Sequence, residues 1–237
     1  MLSEAEPVWT TWNRDKVEFA EVHFLGSGTV HFWQLRASGE WVHQLNADEK
    51  PPYAKIANAE VRSDYATTQV GLRRMLSLYR QEAPDEVKIL RGPHGKPYVN
   101  GGPEFNLSHT QRGIFVAVSS DPVGLDVELA DRWVHGMDLA RKFFFEAEIE
   151  ELGQFPEAEQ NAAFIRRWVC KEAMVKLSGE GIFLGLKEAL TRTGAAGAIG
   201  GRYRGRKVWL REVWPQKSLR AAVATWAPVE VKGFFRL

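Results

Sequence analysis

Alternating apolar and polar positions are the first feature of this chain. Residues 123–128 read Val-Gly-Leu-Asp-Val-Glu, and a period of two is typical of a strand with one buried face. The alternation places Asp126 and Glu128 side by side on one face, with Gly124 expected to leave open space beside them. Two carboxylates at this spacing repel each other unless a cation, hydrogen-bond donors or water lies between them. An edge strand with a solvated acidic face is the alternative interpretation.

A helical pattern follows downstream. No glycine or proline interrupts residues 162–178, and this composition favours a helix that ends at Gly179. Four apolar residues recur at the spacing of one helical face: Ile165, Trp168, Val169 and Val175. Glu172 and Lys176 fall on the same stripe, whereas an ordinary ion pair between residues four apart lies on the exposed face. Because charges on a buried stripe must be paired or used, we expect these two side chains to belong to a functional site.

Neither Cys170 nor the Ser108–His109 pair is expected to act as a nucleophile. On an α-helix residue 170 lies about 160° from Glu172, because each residue turns about 100°. A mid-helix thiol also lacks the helix N-terminus that lowers a cysteine pKa, so Cys170 is predicted to be a buried apolar filler. Ser108 and His109 are adjacent on a predicted strand and point to opposite faces, which excludes a Ser–His relay.

The rest of the chain alternates between predicted strands and helices. The predicted strands are 30–35, 105–109, 114–118, 208–213, 219–226 and 229–235, of which the last three are expected to form one antiparallel sheet. Helical periodicity covers most of 45–79 and 139–152. Glycines and prolines predict turns at 26–28 and 92–97. The pattern therefore predicts a protein of mixed α and β structure.

Composition narrows the class of protein. With 237 residues, 44% apolar residues and nine tryptophans, the chain can fill a sizeable core, which argues against disorder. A net charge of +1 argues against a nucleic-acid binder that relies on bulk positive potential. No apolar run approaches the length of a membrane span, and residues 1–15 lack the pattern of a signal peptide. Together with a single cysteine, these features predict a cytoplasmic protein that binds neither nucleic acid nor membrane.

Several motifs resemble those of a known family. The sequence of 123–128, followed by W-V-C-K-E-A-M-V-K at 168–176, resembles the two signature motifs of the 4'-phosphopantetheinyl transferases, most closely the surfactin-synthetase-activating type. The G-K-P at 95–97 and the F-N-L-S-H at 105–109 match two further motifs of that family. A segment similar to the family's R-F-F-x-x-x-E places Glu148 at the acidic position, with Arg141 one residue out of register.

The resemblance covers about residues 30–230 and implies a fold. This fold is α/β in the α+β sense: two pseudo-symmetric subdomains, each a small antiparallel sheet packed with helices, with a ligand cleft between them. On that pattern residues 1–28 are an N-terminal extension and residues 29–112 are the N-terminal transferase subdomain. Residues 113–237 are then the C-terminal transferase subdomain, which carries the metal site.

The resemblance also implies roles for individual residues. The metal ligands are Asp126, Glu128 and Glu172, a set suited to Mg²⁺, with Mn²⁺ as the alternative ion. Lys176 lies beside the pyrophosphate of coenzyme A and stabilises or protonates the leaving group. Glu148 is a further catalytic candidate. The side chains that bind coenzyme A are Lys96, Ser108, His109, Arg62, Arg73 and Lys176.

The implied reaction moves the 4'-phosphopantetheine arm of coenzyme A onto a serine of an apo acyl carrier protein or peptidyl carrier domain and releases 3',5'-ADP. The enzyme is expected to be a monomer, and carriers of fatty-acid, polyketide, nonribosomal-peptide and lysine pathways all fit the pattern. Glu172, Glu148 and a metal-bound water are alternative bases for the serine proton. Two other functions fit parts of the pattern: a non-catalytic binder of coenzyme A or a nucleotide on the same fold, and an unrelated Mg²⁺-dependent phosphoesterase.

Overall fold

The computed structural model of the chain describes residues 7–11, 25–181, 185–194 and 197–237. Internal contacts separate two compact units. Trp9–Ser120 and Val231–Leu237 form what we call the N-terminal unit, and Asp121–Glu230 form most of the C-terminal unit. Most of the predicted N-terminal extension, residues 1–28, lies outside the described residues.

Strands and helices both contribute to the fold, which confirms the predicted α+β class. The strands within the described residues are β1 (Trp9–Thr11), β2 (Thr29–Leu35), β3 (Leu90–Arg91), β4 (Pro97–Tyr98), β5 (Glu104–Thr110), β6 (Gly113–Ser119), β7 (Val123–Leu129), β8 (Ala189–Thr193), β9 (Ile199–Tyr203), β10 (Arg206–Val213), β11 (Leu219–Thr225) and β12 (Glu230–Arg236). The helices in the same ranges are α1 (Lys50–Lys55), α2 (Ala59–Arg80), α3 (Gly136–Phe143), α4 (Glu146–Gly153) and α5 (Glu157–Ser178), and a 3₁₀ helix covers Gly39–Gln44.

The N-terminal unit is built on a five-stranded sheet in the order β1-β12-β2-β6-β5. β6 pairs antiparallel with both β2 and β5, and Val116 lies opposite Trp33 on one side and Leu107 on the other. β1 and β12 are parallel, so the sheet is mixed rather than purely antiparallel. One face packs on α2 around a core whose largest buried members include Trp33, Leu35, Leu72, Met75, Leu76, Phe105 and Ile114.

Helix α2 is shorter than the helical periodicity of 45–79 predicts. The side chain of Asn58 accepts a hydrogen bond from the backbone N–H of Val61 at 3.0 Å and begins the helix there. α2 ends at Gln81, whose φ of 56° is the left-handed conformation common after a helix. The cap therefore divides the predicted helical segment into α1 and α2.

The C-terminal unit contains a second five-stranded sheet in the order β7-β11-β10-β9-β8, with every pair antiparallel. Helix α5 packs across this sheet and ends at Gly179 with φ of 76°, as the sequence predicts. The core between helix and sheet includes Val169, Cys170, Ala173, Met174, Val175, Leu177, Tyr203, Val208, Ala222 and Ala224.

Gly124 in β7 marks the closest approach of the sheet to α5. A Cβ atom at this position would lie 2.0 Å from the carbonyl oxygen of Ala173 and 2.4 Å from the backbone nitrogen of Leu177. The expectation that Gly124 leaves open space beside the carboxylates is therefore wrong, because the backbone of α5 fills that space. The absence of a side chain permits helix and strand to touch.

Two strand predictions also change. β10 and β11 pair antiparallel as predicted, but β12 joins the sheet of the N-terminal unit instead of completing theirs. β6, which the predicted boundary at 112/113 assigns to the C-terminal subdomain, pairs with β2 and β5, and the contact division falls after Ser120. Alternation identifies a strand but carries no information about the strand that it pairs with. The remaining subdomain boundaries stay predictions.

The helix predicted at 139–152 is two helices. Phe144 and Phe145 adopt extended backbone angles between α3 and α4. The side chain of Glu148 accepts a hydrogen bond from the backbone N–H of Phe145 at 2.8 Å and thereby caps α4. Among the described residues, no helix is long and apolar enough to cross a membrane.

Replacing Gly124 with alanine tests the contact between β7 and α5. The added methyl group would collide with backbone atoms that cannot rotate away, so we expect the free energy of unfolding to fall by about 3 kcal/mol or more. Gly153→Ala is the matched control, because a Cβ atom there meets nothing within 4 Å. Urea unfolding followed by circular dichroism measures both variants, and equal stability of the two would contradict the close contact.

Candidate active site in the C-terminal unit

The candidate site lies where β7 faces α5. Asp126 follows Gly124 by two residues, so both lie on the face of β7 that packs on the helix, and Asp126 is only 3% exposed. Glu172 and Lys176 occupy successive turns of α5 and are half-buried. The lysine Nζ donates a hydrogen bond to Asp126 Oδ1 at 2.6 Å. Strand and helix residues that are 50 positions apart in sequence thus form one charged cluster.

Glu128 joins this cluster at its exposed end. It is the next residue on the same face of β7 and is half-buried. Arg132, in the loop that follows, donates a hydrogen bond from Nη1 to Glu128 Oε1 at 2.6 Å. The three carboxylates of the cluster are therefore held by two cations of the chain itself.

Burial and repulsion shift the pKa values within the cluster. Burial, followed by the charge of Asp126, raises the pKa of Glu172 from 4.5 to about 8. The same two causes, in the same order, raise the pKa of Glu128. Burial lowers the pKa of Lys176, but the carboxylates of Asp126 and Glu172 outweigh this effect and the pKa lies above its ordinary value. A further positive charge at the cluster would relieve the remaining repulsion.

The donor set fits a hard divalent cation. Asp126, Glu128 and Glu172 offer carboxylate oxygens, which Mg²⁺ and Mn²⁺ prefer. Within the described ranges, no three His, Cys, Asp or Glu side chains already surround a single metal position. Lys176 and Arg132 instead hold two of these carboxylates. Binding of a cation would therefore require the carboxylates to exchange these contacts for the ion.

Glu148 lies in a different environment from the one expected of a catalytic carboxylate. It is fully buried, and its two oxygens accept four hydrogen bonds. The donors are the backbone N–H of Phe145, the side chain of Lys171, and both the backbone N–H and the hydroxyl of Thr191. Since an ionised carboxylate accepts about four hydrogen bonds, little capacity remains for a substrate proton. The structure favours a role in holding α4, α5 and β8 together.

Lys171 and Arg167 are buried residues that the sequence analysis missed. Lys171 donates to Glu148 Oε2 at 2.7 Å and to the carbonyl of Ala189, and its Nζ lies 4.5 Å from the ring centre of Phe144. Arg167 pairs with Glu151 in the same layer. The available signal was complementary spacing: the two glutamates are three residues apart on α4 and the two cations four residues apart on α5.

The predicted coenzyme A residues of the N-terminal unit fall into two groups. Ser108 is buried and His109 is exposed, in agreement with their predicted opposite faces on β5. His109 Nε2 lies 3.0 Å from the hydroxyl oxygen of Thr68 on α2. Lys96 follows the turn closed by Gly95, whose φ is 82°, and burial lowers its pKa. Arg62 is half-buried, with its guanidinium 5.6 Å from the ring centre of Tyr53.

Arg73 does not point to a ligand. Its guanidinium is 3% exposed and forms a bidentate pair with Glu49 at 3.0 Å. It also donates to the carbonyls of Gln44 and Pro84 at 2.6 and 2.9 Å. These bonds use nearly all of its donors, so the prediction that Arg73 binds coenzyme A phosphate is not supported. The basic side chain tethers the loops that flank α2.

Cys170 is completely buried in the core beneath α5. Burial raises the pKa of its thiol well above the ordinary value, the opposite of what activates a nucleophile. The prediction of an apolar filler is confirmed. The nucleophile of any reaction at this site must therefore come from the substrate.

Comparison with known proteins gives the family of this region. A profile of the 4'-phosphopantetheinyl transferase superfamily matches residues 122–225, from β7 to β11. The chain is 30% identical over 168 residues to 4'-phosphopantetheinyl transferase HetI of Nostoc sp., which covers 66% of this chain and 71% of that protein. It is 28% identical over 130 residues to 4'-phosphopantetheinyl transferase Sfp of Bacillus subtilis, covering 54% of this chain and 57% of that protein. A further Bacillus subtilis transferase is 36% identical over 95 residues, 39% of this chain and 42% of its own length.

The pair between Lys171 and Glu148 is testable through stability. Lys171→Met leaves a buried carboxylate without its cation and should lower the free energy of unfolding by about 3–5 kcal/mol. Adding Glu148→Gln removes the stranded charge and should recover part of this loss. Asp138→Ala, which breaks the exposed pair with Arg141, is the control and should cost less than about 1 kcal/mol. Urea unfolding that ranks Lys171→Met with this control would refute the structural assignment.

The raised pKa of Glu172 predicts a pH dependence in the metal-free protein. The unfolded carboxyl has the ordinary value of 4.5 and the folded one about 8, so between these values the folded state binds more protons. Stability from this group is present below pH 4.5 and is lost as the pH rises through about 8. Glu172→Gln should flatten the profile, measured by urea unfolding in excess chelator. An unchanged slope would contradict the buried, repelled state of Glu172.

Proposed function

The chain belongs to the 4'-phosphopantetheinyl transferase superfamily, and on that premise we propose that it transfers 4'-phosphopantetheine from coenzyme A to a serine hydroxyl of an apo carrier protein. The other product is 3',5'-ADP. The observation that carries the proposal is the cluster of Asp126, Glu128, Glu172 and Lys176, which lies wholly within the segment that matches the family. Attack on a pyrophosphate builds up negative charge, and this cluster is where the chain can neutralise it.

A divalent metal is part of the proposed site, and we assign it as Mg²⁺, with Mn²⁺ as the alternative. The carboxylates of Asp126, Glu128 and Glu172 would hold the ion, which when bound supplies positive charge to the pyrophosphate oxygens. Lys176 and Arg132 keep two of these carboxylates in place through their hydrogen bonds. The repulsion that raises the pKa of Glu172 supports this assignment, because a cation at the same position would relieve it.

Lys176 is proposed to act on the leaving group. Its pKa lies above the ordinary lysine value because of Asp126 and Glu172, so the side chain stays charged at neutral pH. When Asp126 turns to a cation, the ammonium group of Lys176 is released for a phosphate oxygen. From there it binds the pyrophosphate and stabilises the departing 3',5'-ADP.

For the serine proton, the structure favours Glu172 over Glu148. Glu148 already accepts four hydrogen bonds in a buried site. Glu172 is half-buried, and in the metal-free protein its pKa is about 8, close to the range in which a carboxylate can take up a proton near neutral pH. We therefore place the base at Glu172 and assign Glu148 a positioning role.

The phosphates of coenzyme A are proposed to bind residues of the N-terminal unit. His109 is exposed on β5, and its contact with Thr68 holds the ring. Lys96 and Ser108, on the neighbouring turn and strand, and Arg62 on α2 complete the proposed set. The proposal omits Arg73, whose donors are taken by Glu49 and backbone carbonyls.

The finer assignments belong to the same proposal. We assign the surfactin-synthetase-activating subtype from the similarity to Sfp, which covers 57% of that protein. A monomeric, cytoplasmic enzyme that acts on acyl or peptidyl carrier domains fits the free, buried Cys170. The chain spans only 42–71% of the lengths of the three relatives compared above, so these assignments are proposals for the whole protein.

A transfer assay tests the proposal. The protein is incubated with coenzyme A, Mg²⁺ and apo acyl or peptidyl carrier domains, and the intact mass of each carrier is measured. We expect one pantetheinyl group per carrier, no transfer in excess chelator, and at least a hundredfold slower transfer by Asp126→Ala, because electrostatic stabilisation of this kind contributes about that much or more. Glu150→Ala, an exposed carboxylate on α4, is the control and should retain activity.

Two outcomes would contradict the proposal. Coenzyme A binding without transfer to any carrier indicates the non-catalytic alternative. Hydrolysis of coenzyme A or other phosphoesters without modification of a carrier indicates the phosphoesterase. Full turnover in chelator would remove the metal from the assignment but leave the transferase activity intact.

A further inference from the structure

A large aromatic side chain stands exposed beside the proposed site. Trp133 lies in the loop of residues 130–135, directly after β7, and its side chain is 71% exposed. The fold does not use this ring in either core of the C-terminal unit. Its edge lies against His135, with ring centres 4.4 Å apart and planes at 73°. Exposed tryptophans of this kind are over-represented where proteins bind partners.

The loop that carries Trp133 is held in place by specific hydrogen bonds. Asn161 on α5 donates to the carbonyl of Arg132 at 2.9 Å and accepts from the backbone N–H of Val134 at 3.2 Å. One side chain therefore fixes the backbone on both sides of Trp133. Such preorganisation reduces the entropy lost when the ring contacts a partner.

A cavity of about 250 Å³ opens next to the ring. Val134 and Met137, which also pack on the core formed by α3, α4 and α5, supply apolar walls. Its rim is polar, with oxygen atoms from Asp138, Glu157, Gln160 and Asn161. An exposed aromatic ring beside an apolar hollow with a polar rim has the composition of an interface centre.

The loop is connected to the candidate site by an ion pair. Arg132, adjacent to Trp133, donates to Glu128 Oε1 at 2.6 Å, and Glu128 belongs to the carboxylate cluster. A protein that places a hydroxyl group at this cluster must cover the surface around Glu128. Because the loop begins only two residues after Glu128, the same protein would cover Trp133.

From this juxtaposition we propose that Trp133 and the adjoining cavity are the docking surface for the protein that carries the acceptor serine. The partner surface presents an apolar side chain to the cavity and donors to its oxygen-rich rim. This inference rests on the proposed function and adds the contact that selects the acceptor. Trp133 does not touch the reacting atoms; it sets affinity for the acceptor protein and leaves coenzyme A binding unaffected.

Steady-state transfer by wild type and Trp133→Ala tests the inference, with apo carrier and coenzyme A varied separately. We expect the KM for apo carrier to rise about tenfold or more, as for central aromatic residues of interfaces, with the KM for coenzyme A unchanged. Trp133→Phe should restore most of the affinity. Phe155→Ala is the matched control, since Phe155 is an aromatic residue of the same unit that is 40% exposed, and it should behave as wild type.

Direct binding of apo carrier to each variant, by calorimetry without coenzyme A, separates this inference from the proposed function. If wild type binds carrier but does not transfer, the proposed function fails, and loss of binding in Trp133→Ala still supports the docking surface. An unchanged KM and affinity in Trp133→Ala, or an equal rise in the KM for coenzyme A, overturns the inference. So does a wild type that binds no carrier. Sedimentation of both proteins covers the remaining occupant: a wild-type dimer that Trp133→Ala dissociates, with the carrier KM unchanged, assigns the surface to a second copy of the chain and also overturns it.

Discussion

The contact between the backbones of β7 and α5 at Gly124 is the constraint on which the C-terminal unit depends. Helix and strand touch where any side chain would lie 2.0 Å from a carbonyl oxygen, so their relative position is set within narrow limits. Asp126 is two residues further along the same face of the strand, and Lys176 is one turn beyond the contact on the helix. Their 2.6 Å hydrogen bond follows from this placement. The charged cluster is thus positioned by packing of the main chain rather than by flexible side chains.

The same helix carries two sets of charges with different consequences. Lys171 and Arg167 are buried toward α4 and β8, where Glu148, Glu151 and threonine hydroxyls satisfy them. Glu172 and Lys176 face β7 and are half-buried. Adjacent residues on a helix are about 100° apart, so Lys171 holds the helix while Glu172 faces the cluster. A buried ion pair is a weak source of stability but a specific one, because any other arrangement leaves a charge without compensation.

Charge balance connects the cluster to the surface around it. Without a divalent ion, Lys176 and Arg132 compensate Asp126 and Glu128, while Glu172 responds through its raised pKa. Each of these contacts lies within one unit and joins β7 to α5 or to the loop that follows β7. A change at the cluster is therefore transmitted first to the loop of residues 130–135, through Arg132. Chemistry and acceptor docking would share this ion pair.

Sequence alone determined the elements with strong local periodicity. The alternation of 123–128 identified β7, the uninterrupted run to Gly179 identified α5, and the angular position of Cys170 placed it in the core. The charges of Glu172 and Lys176 stood out because they interrupt an apolar stripe. Each of these inferences uses residues within one or two turns or a single strand, where backbone geometry fixes which side chains share a face.

Only the tertiary structure decided which distant residues meet. Glu148 and Arg73 looked available for ligands, yet Lys171 and Thr191 occupy the first and Glu49 the second. Nothing in the local sequence distinguishes a carboxylate that binds a substrate from one that a lysine 23 residues away already neutralises. The sheet joined by β12 was undetermined for the same reason, since alternation gives a strand's faces but not its neighbours. Partner choice depends on long-range packing, and periodicity carries no information about it.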